Sequence, residues 1–345
     1  MAFAKDFLNH PENYSVPTSK NKMALTEGKS TGSNKKEYAQ KLLKKSLPIV
    51  GTLAEKYLKE YRHLTNFKSA DLRYLKEIST WHDHKKVNVP ALFAFTRGKD
   101  GELNHAQVIR LNPLTGDKDY QSKIIKQTYG SPNGCMVNLN TKSNHDTTFL
   151  TEGVETGLSL LEVEKEAQIK TVLGKENFKN VDLSNLSEHI VLCVDNDGKK
   201  TFDDLVIVKS VLRLMEAGKS VSLMCPIQEG HDFDDVLKKE GKGVLQQYMA
   251  DLVDVKSLFN SVKSNQELQN HKNHEELLLI KNQMLKAAIL NKTIGVISQE
   301  KSDAKSVVVS KFETRNPNEL LKNNRLSSQA LPTTTNNNKT LEIER

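Results

Sequence analysis

Acidic residues in three short stretches are spaced as phosphate chemistry would need them. In "FLTEGVETGLSLLE" Glu152 separates an apolar run from a helix-like segment. In "LCVDNDGKK" Asp195 and Asp197 lie two apart, and in "PIQEGHDFDDVL" Asp232, Asp234 and Asp235 follow a further apolar run. Side chains two apart on an extended segment point the same way, so Asp195 and Asp197 could address one cation together. Hard divalent ions such as Mg²⁺ or Mn²⁺ take oxygen ligands and commonly bridge carboxylates to substrate phosphates. Each stretch also has a plainer origin. "DNDG" is turn chemistry, Asp232 and Asp234 suit the cap of a helix beginning near Phe233, and Glu152 with Gly153 suits a strand-to-helix connection. An EF-hand fits poorly, because Gly198 stands fourth where the loop needs a glycine sixth. What favours a metal site is that all three stretches fall at equivalent places.

Those places come from the elements around them. From Thr147 the chain alternates strand and helix: "TTFLTE" strand, "VETGLSLLEVEKEA" helix, "IKTVLG" strand, "HIVLCVD" strand, "FDDLVIVKSVLRLMEAG" helix, "KSVSLMCP" strand, "FDDVLKKEGKGVLQQYM" helix. That pattern predicts an α/β unit with a mainly parallel sheet covered on both faces. Right-handed crossovers put every strand's C-terminal end on one rim, where the acidic residues then gather.

The rest of the 345 residues divides around this unit. Residues 1–45 read as a flexible basic segment, the first 35 being polar and without periodicity. Residues 46–146 read as a small α+β domain. Its helix is marked by Leu53, Tyr57, Leu58 and Tyr61, and its hairpin by "VPALFAFTR" and "AQVIRLN" on either side of "GKDGELN". Residues 147–250 are the α/β domain. Residues 251–345 read as an amphipathic helix, "HEELLLIKNQMLKAAIL", expected to pack on its own domain, followed by a disordered tail.

Composition narrows the classes. The formal charge is +7, and Lys35–Arg62 carries eight basic residues against three acidic, which suits either anionic partners or a solvated helix face. No run approaches the about 18 apolar residues that cross a bilayer, and the N-terminus lacks a secretory pattern, so a cytoplasmic location with no membrane partner is expected. The three cysteines have no CxxC spacing. "WHDH" at Trp81–His84 is too sparse for zinc, and neither GxxxxGK[ST] nor GxSxG occurs.

At the acidic stretches the chain resembles the Toprim family shared by bacterial primases, topoisomerases and some nucleases, whose glutamate, DxD and further acidic motif match "TEGVET", "VDNDG" and "HDFDDVL". The order "AEKYLKEYRHL", "LRYL", "PALFAFTRGKDGELNHAQVIRL", "GDK", "YGSPNGCMVNL", "TEGVETGLSLL", "LCVDNDG", "GHDFDDVL" is similar to primase-like Toprim proteins of plasmids, phages and conjugative elements, some fused to relaxases or helicases. The resemblance implies that Glu152 serves in proton transfer or metal binding. It further implies that Asp195 and Asp197 bind Mg²⁺ and that Asp232 and Asp234 are additional metal-side groups. Two departures stand out. Replicative primases carry an acidic residue four positions after the glutamate, where this chain has Thr156 with Glu155 one earlier, and no N-terminal CxxC zinc module is present.

In such primases the unit before Toprim supplies cations for template and nucleotide, and the matching candidates are Arg97, Arg110, Lys118, Lys123 and Lys126. The function expected from the resemblance is a Mg²⁺-dependent primase-like nucleotidyltransferase. It would act on a single-stranded DNA template with nucleoside triphosphates, in replication or conjugative transfer of a mobile element, with a helicase or relaxase as further partner. Two rivals stay open: a Toprim-type DNA nuclease, and a DNA-binding accessory module with little or no activity, such as the detached C-terminal part of a relaxase.

Overall fold

The structure, a computed structural model, describes residues 32–98, 101–140, 146–198, 200–203, 205–263, 275 and 277–289. Residues 1–31 of the segment read as flexible over 1–45, and residues 290–345 of the C-terminal extension, lie outside the described residues. Residues 32–45, read as flexible, instead form a helix whose Ala39 and Leu42 are buried in a core.

The described residues begin with helix α1 (Gly32–Lys45). Next comes a short helix α2 (Leu53–Lys56), capped by the Thr52 side chain, that widens into a π-helical turn at Tyr57–Tyr61. Four antiparallel strands follow in consecutive order: β1 (Leu72–His82), β2 (Lys85–Arg97), β3 (Leu103–Arg110) and β4 (Lys126–Gly130). Both faces of β2 are covered. Ala39 and Leu42 of α1 pack with Phe93, Phe95 and Val108 on one face, while Leu92 and Ala94 join the core shared with the following unit on the other. This double cover is why "VPALFAF" is continuously apolar rather than alternating.

The β2–β3 hairpin forms where the Asp-Gly turn predicts it, with Gly101 at φ +77°. The "WHDH" stretch is a second hairpin turn. Asp83 and His84 both take positive φ (41° and 67°), the geometry of a type I′ connection between β1 and β2.

The second sheet has the spatial order β10–β9–β8–β6–β7–β5. Its parallel centre comprises β6 (Thr147–Thr151), β7 (Gln168–Thr171), β8 (His189–Cys193) and β9 (Ser220–Met224). The edge strands β5 (Val137–Asn138) and β10 (Val253–Asp254) run antiparallel. Helix α3 (Val154–Val163) follows β6, a four-residue helix α4 (Lys200–Asp203) follows β8, and α5 (Val206–Glu216) precedes β9. The fold class is therefore α/β, with a mainly parallel sheet following a smaller α+β unit.

The single helix predicted over "FDDVLKKEGKGVLQQYM" is instead two, α6 (Phe233–Lys239) and α7 (Lys242–Ala250). The break is Gly241 at φ +91°, a conformation that ends a right-handed helix and that glycine adopts without a Cβ clash. Helix α8 (Val255–Lys263) and the helical residues 277–289 complete the described chain. Leu278, Leu285 and Ile289 enter the core under α5, and Asn282 Nδ2 donates to Phe202 O, so this helix packs on its own domain as its amphipathic pattern predicts.

β7 lies on one side of β6 and β8 on the other. The direction in which strands are added to the sheet thus reverses between the parallel β6 and β8, and at such a switch point the carboxyl ends of the strands open a crevice.

Candidate functional site

The acidic residues sit at that crevice. Glu152 follows β6 directly and Asp195 stands two residues past β8, on the adjacent strand. Asp232 is the N-cap of α6, its side chain accepting from Asp235 N at 2.9 Å. The cap reading and a place on the rim are thus both true of Asp232.

The loop that carries Asp195 and Asp197 is held by the residue between them. Asn196 Nδ2 donates to Pro226 O (2.9 Å) and Ile227 O (3.2 Å), and Asn196 Oδ1 accepts from Gly198 N (3.0 Å). Asn196 N donates to His231 O at 3.0 Å. One asparagine therefore fixes the DxD turn against the segment leading to Asp232.

The carboxylates act on one another. Burial, followed by the charges of Glu152, Asp232 and Asp197, pushes the half-buried Asp195 carboxyl up to about 8. Glu152 is raised by burial and by Asp197, with Lys175 and Lys126 drawing it back. Asp232 is raised by burial and by neighbouring carboxylates, against the backbone bond from Asp235. Burial and mutual repulsion among these carboxyls thus outweigh the pull of the nearby cations, and the rim holds on to protons that isolated carboxyls would release. Among the described residues, however, no three acidic, imidazole or thiol groups already stand close enough together to chelate an ion.

Behind the rim is a second cluster that the sequence did not announce. Glu155, on the first turn of α3, is buried and accepts from Tyr57 Oη (2.5 Å). It also pairs with Lys126 Nζ (2.6 Å), Lys118 Nζ (2.8 Å) and Arg62 Nη2 (3.7 Å). Burial alone would raise its carboxyl, but Lys126, Lys118 and Arg62 hold it well below the usual range. Arg62 also bonds the fully buried Asp234 at 2.6 Å, donates to Tyr57 Oη at 2.8 Å and lies over the Tyr57 ring at 5.2 Å. Lys238 reaches the same Asp234 carboxylate at 3.3 Å. Four cations thus surround two carboxylates, and Lys126, 42% exposed, extends its field to Asp195 and Glu152.

Several expected roles change with this geometry. Asp234 is bonded to Arg62, Lys238 and Ser159 Oγ inside the protein rather than facing the crevice. Arg110 is 3% exposed, its guanidinium donating to Ile124 O (2.9 Å), Ser79 O (3.2 Å) and Gln127 Oε1 (2.7 Å). It is a structural staple: both terminal nitrogens are taken by internal acceptors, Nε is buried without a partner, and the side chain is closed off from solvent. Arg97 lies over the Phe95 ring at 4.8 Å and donates to Gly101 O at 3.0 Å. Lys123 is exposed and lines a recess with Trp81. Lys118 and Lys126 are the candidates that reach the site. Thr156, standing where replicative primases carry an acid, instead donates to Asp195 Oδ1 at 3.5 Å.

Arg62, Tyr57 and Asn196 were missed. Arg62 and Tyr57 belong to a run that reads as an ordinary amphipathic helix, and the π turn that reorients it leaves no periodic trace. The asparagine of "DND" carried a signal as turn chemistry.

Comparison with known proteins matches a family model described as "Toprim domain" to residues 147–243, and one described as "Domain of unknown function (DUF7146)" to residues 33–139. No curated protein matches the chain. Similar solved structures include the Aquifex aeolicus primase (zinc binding and RNA polymerase domains), with 14% identity, 76% of this chain and 75% of that chain covered, and TM-score 0.45. A DNA primase domain from Pseudomonas aeruginosa has 15% identity, 78% and 98% coverage, and TM-score 0.44. The E. coli primase catalytic core has 15% identity, 75% and 95% coverage, and TM-score 0.43. With its acidic motifs on the rim of a mainly parallel sheet and the family match over that same sheet, residues 147–243 of the chain form a Toprim domain.

Proposed function

We propose that the protein is a Mg²⁺-dependent, primase-like nucleotidyltransferase that extends a strand on a single-stranded DNA template. The observation carrying this reading is the meeting of two unlike clusters. Mutually repelling carboxyls at the β6–β8 crevice feel the charge of Lys126, which comes from the preceding unit and shares Glu155 with Lys118.

Glu152, Asp195, Asp197 and Asp232 offer the hard oxygen ligands that Mg²⁺ or Mn²⁺ prefers, and their mutual repulsion is what a divalent ion would relieve. Bound there, the ion would supply charge neutralisation for triphosphate and leaving pyrophosphate. Lys126 and Lys118 hold the phosphates, where fixed cations offset the charge that develops in phosphoryl transfer. Glu152, its carboxyl raised by burial, takes the proton of the attacking 3′-hydroxyl or joins the ligand set. Asn196 keeps Asp195 and Asp197 in register with Asp232. The setting we infer from the motif order is replication or conjugative transfer of a mobile element in the cytoplasm, with a helicase or relaxase nearby.

One observation favours a second reading, a DNA-binding module with little activity: Lys118 and Lys126 are tied to Glu155 rather than open to phosphate. A single experiment separates the readings. Purified protein and its Glu152→Gln variant are incubated with single-stranded template, Mg²⁺ and labelled nucleoside triphosphates. Short products made by the wild type and lost in the variant support synthesis, shortened template supports a nuclease, and unchanged DNA with salt-sensitive binding supports the module.

A further inference from the structure

Trp81 is the chain's one tryptophan, and it stands 51% exposed near the end of β1. Leaving so large an apolar ring in water forgoes the burial free energy that a core position would supply.

The ring is nonetheless held on a fixed scaffold. Trp81 O accepts from Lys123 N at 3.0 Å, and the next residue, His82, bonds the buried Asp119 at 2.7 Å. The buried Arg110 guanidinium spans Ser79 O and Ile124 O, stapling β1 to the connection between β3 and β4. Trp81 is thus an exposed aromatic on an ordered ledge rather than on a loose loop.

Its neighbours carry positive charge. Lys86 lies directly opposite Trp81 in the β1–β2 register, and Lys85 and Lys86 are exposed. A shallow recess is lined by Trp81, Asp83, His84, Gln121 and Lys123, in which Asp83 is the one carboxylate. A flat aromatic face beside flexible cations is how single-stranded nucleic acid is held: a base stacks on the ring and the adjoining phosphates take the ammonium groups.

The ledge also adjoins the site already described. The connection from Lys118 to Lys126 begins and ends on Glu155 and swings outward to Lys123 between them. Chain reach keeps the Cα atoms of Lys118 and Lys123 within about 18 Å.

We propose that Trp81, flanked by Lys86 and Lys123, is a stacking platform for unpaired bases of a single nucleic-acid strand whose continuation enters the Lys118–Lys126 site. The identity of that strand as template rests on the catalytic reading above, whereas the binding does not.

The experiment uses the full chain. Oligo(dT) is titrated into wild type while the lone tryptophan's emission is followed, and affinities of a labelled oligo(dT) are measured for wild type, Trp81→Ala, Trp81→Phe and Lys123→Ala. The expected results are quenching in the wild type and a loss of affinity of roughly 5- to 100-fold in Trp81→Ala. Trp81→Phe should retain most of the binding, and the salt slope should fall by about 0.7 in Lys123→Ala. Matching circular dichroism spectra control for folding. Binding without quenching, equal affinity in Trp81→Ala, equal quenching by a duplex, or no oligonucleotide binding by the wild type each overturns the platform. Quenching and affinity loss in a preparation that neither synthesises nor cleaves strands with Mg²⁺ supports the platform and overturns the catalytic reading. Synthesis by a protein whose tryptophan stays silent does the reverse.

Discussion

Arg62 Nη1 lies 2.6 Å from Asp234 Oδ2, joining the π turn of the N-terminal unit to the first turn of α6. Asp234 has no exposed surface and the Arg62 side chain is only 12% exposed, so the pair depends on its bonds rather than on water. Removing one partner of a buried pair strands the other. Arg62→Ala should therefore lower unfolding free energy by about 3–5 kcal/mol, read by denaturant titration. Lys238, the remaining cation at 3.3 Å, should moderate the loss. An unchanged midpoint would show that the bridge contributes nothing.

Glu155→Gln should loosen the interior while freeing Lys118 and Lys126. The expected outcome is a lower melting temperature together with tighter, more salt-sensitive binding of nucleoside triphosphate. Calorimetric titration at two salt concentrations would measure it, and weaker triphosphate binding would argue that Glu155 positions these lysines productively.

The carboxylates of the rim set a pH dependence with a definite sign. Asp195 is raised from an ordinary aspartate value to about 8, so between those limits the folded state binds more protons than the unfolded chain. Stability without divalent ion should then fall as pH rises from about 4 toward 8, and Glu152 and Asp232, also raised, act in the same direction. Glu155 is lowered, so its contribution is lost only on acidification below the ordinary glutamate range, outside this window. Asp195→Asn should flatten the slope and raise stability near pH 8. Mg²⁺ should raise the melting temperature more at pH 8 than at pH 5. Thermal scans across pH would test both, and an equal Mg²⁺ effect at the two pH values would count against ligation at this rim.

Asn196→Ala should cost about 1–3 kcal/mol of stability, because the carbonyls of Pro226 and Ile227 lose their donor. Mg²⁺ affinity should fall with it, since the turn no longer holds Asp195 and Asp197 toward Asp232. Full Mg²⁺ affinity in a destabilised variant would confine Asn196 to folding.

The parts that were legible in the sequence are those with local or periodic signals. Glu152 and Asp195 could be placed because each closes an apolar strand, and alternation of strand and helix dictates a common rim. Asp232 was legible twice, as a cap and as a rim residue. Arg62 and Tyr57 were not, because their partners Asp234 and Glu155 lie 172 and 98 positions away, and no local pattern encodes such a distance. Arg110 was misread because a buried arginine on a doubly covered strand looks the same in sequence as an exposed one. Asp83 and His84 make a hairpin turn without the glycine that usually marks it.

The reversal of strand order bears on how the protein matures. β6 and β8 are spatial neighbours, yet the whole of α3 and β7 must be synthesised between them. A nascent chain that has exposed Glu152 at the ribosome still lacks the facing half of its crevice. Fragments ending before Cys193 should be unable to assemble the Glu152–Asp195 pair, so ion capture would follow docking of the central strands rather than nucleate it.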